Sequence, residues 1–221
     1  MTESLKFTVV DAFTNKPFGG NPAAVIVLPS DKTYPDSTLQ SIALEFNLSE
    51  TAFISTSSTV SPPGEDAKHV SFGLRWFTPV SEVPLCGHAT LASALVLFSD
   101  SNLVPSDVDD IQFSTLSGTL FARRVAGSAK VELEFPVGDI VEANQDLTSQ
   151  VTKAVREAIK IPDAKINFVG VCDVPTYEKM VLVDIDTSLG LASLVVNATT
   201  LVSTLLMPLD RRSNNTIIRR I

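Results

Sequence analysis

Cysteine and histidine are scarce: the 221-residue chain carries two of each, Cys86 and Cys172, His69 and His88. Their spacing matches no zinc-binding pattern, so no metal is expected. The start, Met1-Thr2-Glu3-Ser4-Leu5-Lys6, lacks the basic segment and apolar core of a secretory leader. Free thiols in a reducing, cytoplasmic setting are therefore expected. Positive charge is in deficit: 17 Lys and Arg against 25 Asp and Glu give a net charge of −8. With no basic stripe, nucleic acid is excluded as the main partner. One run without charge, Leu189 to Leu209, has the length of a bilayer span. Ser193, Asn197, Thr199, Thr200, Ser203 and Thr204 dilute it and no basic flank precedes it, so no membrane partner is expected. Internal repeats are also missing at the residue level.

What is present belongs to a folded protein. Hydrophobic residues make up 44% and charged residues 19% of the chain, a globular composition. The length suits one large domain or two small lobes with a real core. Phe7–Phe13 alternates and is rich in β-formers; Ala23–Leu28, Thr51–Ser55, Val70–Phe77, Ile111–Thr115, Thr119–Val125 and Lys130–Phe135 also read as strands. Thr14 to Pro22, with Asn15, Pro17, Gly19, Gly20 and Asn21, reads as a loop. Leu39, Ile42, Ala43 and Phe46 form a helical stripe. Ser37 and Gln40 form a capping box before it, and Asn47 stops it. Ser57 to Ala67 is an exposed turn. Further on, Val151, Ala154, Val155, Ala158 and Ile159 make a second stripe ending at Pro162. Ile166–Val171 and Lys179–Ile185 are strands, and Asp210 to Ile221 is an atypical tail.

The chemistry gathers in Arg75-Trp76-Phe77-Thr78-Pro79-Val80-Ser81-Glu82-Val83-Pro84-Leu85-Cys86-Gly87-His88-Ala89-Thr90. A Pro-punctuated loop opens here into a helix at about 88–98 that has almost no polar face. Such a helix is buried, and at about 1.5 Å per residue it is far too short to span a bilayer. Cys86-Gly87-His88 lies at its mouth. Histidine there can bind a ligand, or it can simply cap or fill the core. Glycine can admit a ligand to the backbone N–H groups at the helix end, or it can serve a tight turn. A thiol at a helix N-terminus can be activated, although an inert buried Cys86 is the favoured reading. Glu50, between a helix and a strand, can act as acid and base if it is buried, or it can be a solvated loop acid. Asn21 can offer its amide to a ligand or can shape a turn. Asp11 and Ser49 are weaker candidates, Trp76 reads as core, and His69 as surface.

Four ordered motifs carry a resemblance. They are Asp11-Ala12-Phe13-Thr14 with Gly19-Gly20-Asn21-Pro22-Ala23-Ala24-Val25; Asn47-Leu48-Ser49-Glu50-Thr51-Ala52-Phe53; Arg75-Trp76-Phe77-Thr78-Pro79; and Leu85-Cys86-Gly87-His88-Ala89-Thr90-Leu91-Ala92. Over roughly the first 135 residues the chain resembles the PhzF-like isomerases, related to phenazine biosynthesis. The resemblance implies an α+β, diaminopimelate-epimerase-like fold of two pseudo-symmetric lobes, each a curved mixed sheet around a central helix. It implies an active site in the cleft between them, used without cofactor on a small-molecule substrate. Glu50 and His88 fall on the family's catalytic positions, with Gly87, Ala89 and Asn21 on the substrate side. The expected division is 1–126 for the first lobe and 127–221 for a partial second lobe. The family's distal Asp-Pro-Val-Thr-Gly-Ser-Ala-His-type motif is not found, and the likeness fades after about Ala192.

Three functional readings follow. The first is a cofactor-independent, biosynthetic isomerase moving a proton on a small carboxylated substrate, cyclic or open-chain. The second is an inactive, shortened relative acting through interactions. The third is a cysteine-dependent amino-acid racemase using Cys86. A second lobe short of strands would expose apolar sheet, which predicts poor solubility or a compensating homodimer.

Overall fold

A computed structural model describes residues 4–56, 69–128, 130–135, 138–172, 180–186, 188, 190 and 194–201. The turn at Ser57 to Ala67, the tail from Asp210 and most of the Leu189 to Leu209 run lie outside these residues. Among the described residues no helix is long and apolar enough to cross a membrane. The chain forms two compact units, 1–135 and 136–221.

The first unit is one curled mixed sheet with two helices. Its strands are β1 (Thr8–Ala12), β2 (Asn21–Leu28), β3 (Glu50–Ser55), β4 (His69–Phe77), β5 (Glu82–Val83), β6 (Asp110–Thr115), β7 (Gly118–Arg124) and β8 (Val131–Glu134). Their order is β1-β2-β3-β4-β6-β7-β8, with β5 paired to β4. Two pairings are parallel, β2 with β3 and β4 with β6. Each parallel pairing needs a crossover. Helix α1 (Asp36–Phe46) makes the first, and the second contains α2 (Gly87–Phe98).

The two helices cover opposite faces of β2–β4. Strand side chains alternate between faces. Ala23, Val25, Ala52, Ile54, Phe72, Leu74 and Trp76 join the cluster around α2, which also takes Ala89, Ala92, Leu97, Ile111, Phe113, Leu120 and Ala122. Ile26, Phe53 and Phe77 face the other way, against Leu39 and Ala43 of α1. Strands covered on both faces read as continuous apolar runs, which is why Ala23–Ile26 and Thr51–Ile54 are buried throughout. In α2 the two hydroxyls are absorbed locally. Thr90 Oγ1 donates to Cys86 O (2.6 Å) and Ser93 Oγ to Ala89 O (2.7 Å). The burial is not complete all round, since Leu95 is exposed while Ala94, Leu97 and Phe98 around it are buried.

The capping box does not form. Pro35 occupies the N-cap of α1 without a side-chain bond, Ser37 is inside the first turn, and Gln40 Nε2 donates instead to Thr78 O (2.9 Å). Asn47 does end the helix, in the left-handed region at φ 50°.

The second unit has β9 (Ile140–Glu142), α3 (Gln145–Ile159), β10 (Ile166–Cys172) and β11 (Val181–Ile185), in sheet order β11-β10-β9. Val151, Ala154, Val155 and Ile159 of α3 pack on this sheet. Asn144 caps α3 by accepting from Leu147 N–H (2.9 Å), and Lys160 ends it at φ 58°. The division between units falls after Phe135 and not at 126/127, because β8 pairs with β7 and so completes the first sheet.

Candidate active site

The left-handed Asn47 turns the chain out of α1 and delivers Ser49 and Glu50 to the start of β3. Glu50 lies in register with Ala23 of β2. By strand alternation it shares a face with Ala52 and Ile54, so its side chain lies on the face that α2 covers. It is 3% exposed. The buried polar or charged residues among those described are Glu50, Thr51, His88, Thr90 and Ser93. Thr51 points to the opposite face, and Thr90 and Ser93 are bonded to the helix backbone. Glu50 and His88, with the buried thiol of Cys86, are therefore buried titratable groups of this inner face.

The mouth of α2 is built by extended Cys86 at the N-cap, which places no side-chain hydrogen bond on the first-turn N–H groups. No acidic residue occupies that turn. The helix end thus presents its positive pole uncompensated by a carboxylate of its own. A Cβ on Gly87 would meet only the Phe135 ring, at 3.8 and 3.9 Å, an ordinary contact, and Gly87 is not at positive φ. Neither the backbone nor its neighbours therefore require glycine here, contrary to the tight-turn reading. Phe135 borders the helix end at Gly87.

A hydrogen-bonded chain joins these parts. Ser49 Oγ lies 3.1 Å from Asn21 Oδ1, 3.2 Å from Pro22 O and 3.2 Å from His88 Nε2. On the far side of the ring, His88 Nδ1 lies 3.3 Å from Cys86 Sγ. Asn21 is the first residue of β2, not a turn residue, and its amide oxygen is used by Ser49. The side chain of Ala89 is wholly inside the core, so any contact it makes with a ligand is through its N–H. Neither cysteine is in a disulfide; Cys86 is buried and Cys172 half-buried in β10. Trp76 is core, as expected, and His69 is half-buried at the start of β4. Among the described residues no group of three or more His, Cys, Asp or Glu side chains is placed to hold a metal.

Two supports hold this mouth in place. Arg75 makes a bidentate pair with Glu82 (2.7 and 2.7 Å) and reaches Asp36 of α1 (2.8 Å). Its pKa is pushed up from the ordinary arginine value, chiefly by the hydrogen bond to Glu82. The clamp fixes the β4–β5 turn, which leads directly to Cys86. On the other side, Asp11 Oδ2 accepts from Phe18 N–H (2.9 Å) and steadies the loop before Asn21. Sequence reading underrated Ser49 and did not find the Arg75 clamp. The Arg75–Glu82 spacing across a Pro-containing turn was the available signal.

The sequence model of the phenazine biosynthesis-like protein family matches residues 10–197. The chain belongs to this family. A mouse phenazine biosynthesis-like domain-containing protein is 49% identical over 133 residues, covering 60% of this chain and 43% of the relative. An uncharacterized isomerase of Halalkalibacterium halodurans is 48% identical over 128 residues, 58% of this chain and 42% of that protein. The matched segment thus spans about two-fifths of the length of these relatives. A solved PhzF-family structure from Enterococcus faecalis superposes with a TM-score of 0.62 at 28% identity, covering 90% of this chain and 64% of the other. A predicted epimerase of Pseudomonas aeruginosa shares the fold, with a TM-score of 0.58 at 23% identity over 84% of this chain and 61% of that one. The fold is accordingly α+β and PhzF/epimerase-like, and relatives of the family carry the name isomerase.

Proposed function

We propose that the chain carries the acid–base machinery of an isomerase that moves a proton on a small carboxylated, cyclic substrate without a cofactor. The observation that supports it most is the placement of Glu50, a carboxylate 3% exposed on the same sheet face as α2 and His88. Glu50 would break a substrate C–H bond, hold the proton as its own O–H, and return it to another carbon of the same molecule. The reaction is redox-neutral, so one carboxylate suffices. The substrate carboxylate would sit at the end of α2, against the N–H groups of Gly87 and Ala89, where the helix pole favours an anion. His88 would assist from the first turn, and Asn21 would line the approach through its neighbour Ser49.

A second reading, a racemase using Cys86, draws support from the 3.3 Å contact between its thiol and His88. Cys86 is 1% exposed and Glu50 3%, so burial alone does not separate the two readings. Incubating the protein in D2O with a panel of cyclic amino acids, and reading deuterium uptake by mass spectrometry, tests both. Glu50→Gln is expected to lower uptake by about 10²–10⁴-fold, the range of one general acid–base group. Cys86→Ser is expected to lower it by less than about 10²-fold. Uptake that survives Glu50→Gln refutes the role of Glu50, and loss confined to Cys86→Ser favours the racemase.

A further inference from the structure

We infer that Ser49 is a positioning residue that fixes His88 as a neutral imidazole with its proton on Nε2, while Cys86 donates its thiol proton to Nδ1. The meaning of this for catalysis rests on the role proposed for His88. The tautomer does not.

The assignment follows from counting protons. A serine hydroxyl has one proton and two lone pairs. Pro22 O, 3.2 Å from Ser49 Oγ, can only accept, and Asn21 Oδ1 at 3.1 Å also accepts. The hydroxyl proton is thereby committed to the strand side. Towards His88 Nε2, 3.2 Å away, Ser49 Oγ is left to accept, so Nε2 carries the hydrogen. In a neutral ring the other nitrogen is then a bare acceptor. It faces Cys86 Sγ at 3.3 Å, and the thiol proton bridges that gap. The positive pole of α2 also opposes an imidazolium at the first turn. All three protons point the same way, from the buried thiol through the ring to the exposed serine and the start of β2.

The chain gives Ser49 a task distinct from that of its neighbour Glu50. It ties the ring plane of His88 to β2, so that strand and helix mouth keep one spacing. It also leaves the thiol proton on Cys86, as the donor to Nδ1 across the 3.3 Å contact.

Long-range proton–nitrogen correlation spectra of ¹⁵N-labelled protein near neutral pH read this directly. The sequence contains two histidines, so His69 serves as the internal reference. Wild-type His88 is expected to show one protonated nitrogen, Nε2, and one bare nitrogen, Nδ1. Ser49→Ala should lose this single pattern, with the two nitrogen shifts drawn together by tautomer exchange. Ser49→Thr keeps a hydroxyl and should restore the pattern. Cys86→Ser should keep Nε2–H and move only the Nδ1 signal. An Nδ1–H tautomer or an imidazolium in the wild type, or an unchanged His88 pattern in Ser49→Ala, would overturn the inference. Should Ser49→Ala not fold, the wild-type and Ser49→Thr spectra decide. No substrate enters the measurement. Absent deuterium uptake with Nε2–H present would therefore remove the proposed activity and leave the relay standing.

Discussion

Alanine at Gly20 and alanine at Gly73 are expected to have different consequences, although each glycine is crowded. At Gly20 an added Cβ overlaps the carbonyl oxygen of Ala12, and it lies 2.7 Å from Thr14 Cγ2 and 3.1 Å from Ala12 C. Ala12 is backbone in β1, paired with Asn21. It cannot move without opening the end of the β1–β2 ladder. Overpacking typically costs 1–3 kcal/mol and a ladder hydrogen bond about 1 kcal/mol, so Gly20→Ala should cost about 2–4 kcal/mol. At Gly73 the overlap is with Ser55 Oγ alone, and the next atoms are 3.6 and 3.8 Å away. Ser55 is exposed and can rotate, so Gly73→Ala should cost less than about 1 kcal/mol. Removing the hydroxyl as well, in Ser55→Ala/Gly73→Ala, should bring stability to or above wild type, since alanine in a strand gains about 0.5–1 kcal/mol over glycine. Urea unfolding followed by tryptophan fluorescence reports on this unit through Trp76. Equal losses at Gly20 and Gly73, or a double variant weaker than Gly73→Ala, would refute the account.

Other substitutions probe the core, the caps and the helix mouth. Leu97→Ala, at a position wholly buried in α2, should cost about 3 kcal/mol, read as a lower urea midpoint with unchanged m. Asn144→Ala removes the cap of α3 and should cost about 1 kcal/mol in urea unfolding followed by far-ultraviolet circular dichroism. Arg75→Ala strands Glu82, whose side chain is 22% exposed. It should cost about 1–2 kcal/mol, with Arg75→Lys recovering only part because a bidentate fork is lost. Gly87→Ala should leave stability within about 0.5 kcal/mol, since its Cβ meets only Phe135. It should nevertheless weaken binding of any carboxylated substrate in calorimetric titration, and equal binding would remove Gly87 from the proposed ligand site.

The helix α2 was legible because its composition leaves no polar face, and the β2 and β3 strands because they are apolar on both sides. The misread capping box at Ser37 shows the limit of local pattern. Gln40 had a better partner in Thr78, 38 residues away, and a proline already held the N-cap. Strands β5 and β9, with two and three residues, are too short to carry any periodicity. The boundary moved because β8 belongs with the hairpin before it, a pairing that composition does not encode. In the site, Glu50 and His88 were marked by family resemblance more than by spacing. Ser49 was underrated because its partners lie 28 and 39 residues away, and only the joining of β2, β3 and α2 reveals what its hydroxyl does.

The placement of α2 also bears on how the chain is made. The helix is complete at Phe98, yet β6, β7 and β8, which supply Ile111, Phe113, Leu120, Ala122, Val131 and Leu133 to its covering, end only at Glu134. From 98 to 134 is 36 residues, or roughly 2–7 s of synthesis at about 5–20 residues per second. During that interval the most apolar helix of the chain has one wall of its enclosure and lacks the other. A ribosome paused between α2 and β6 would therefore present the segment most in need of a chaperone, and a fragment ending there should aggregate where one reaching Phe135 does not.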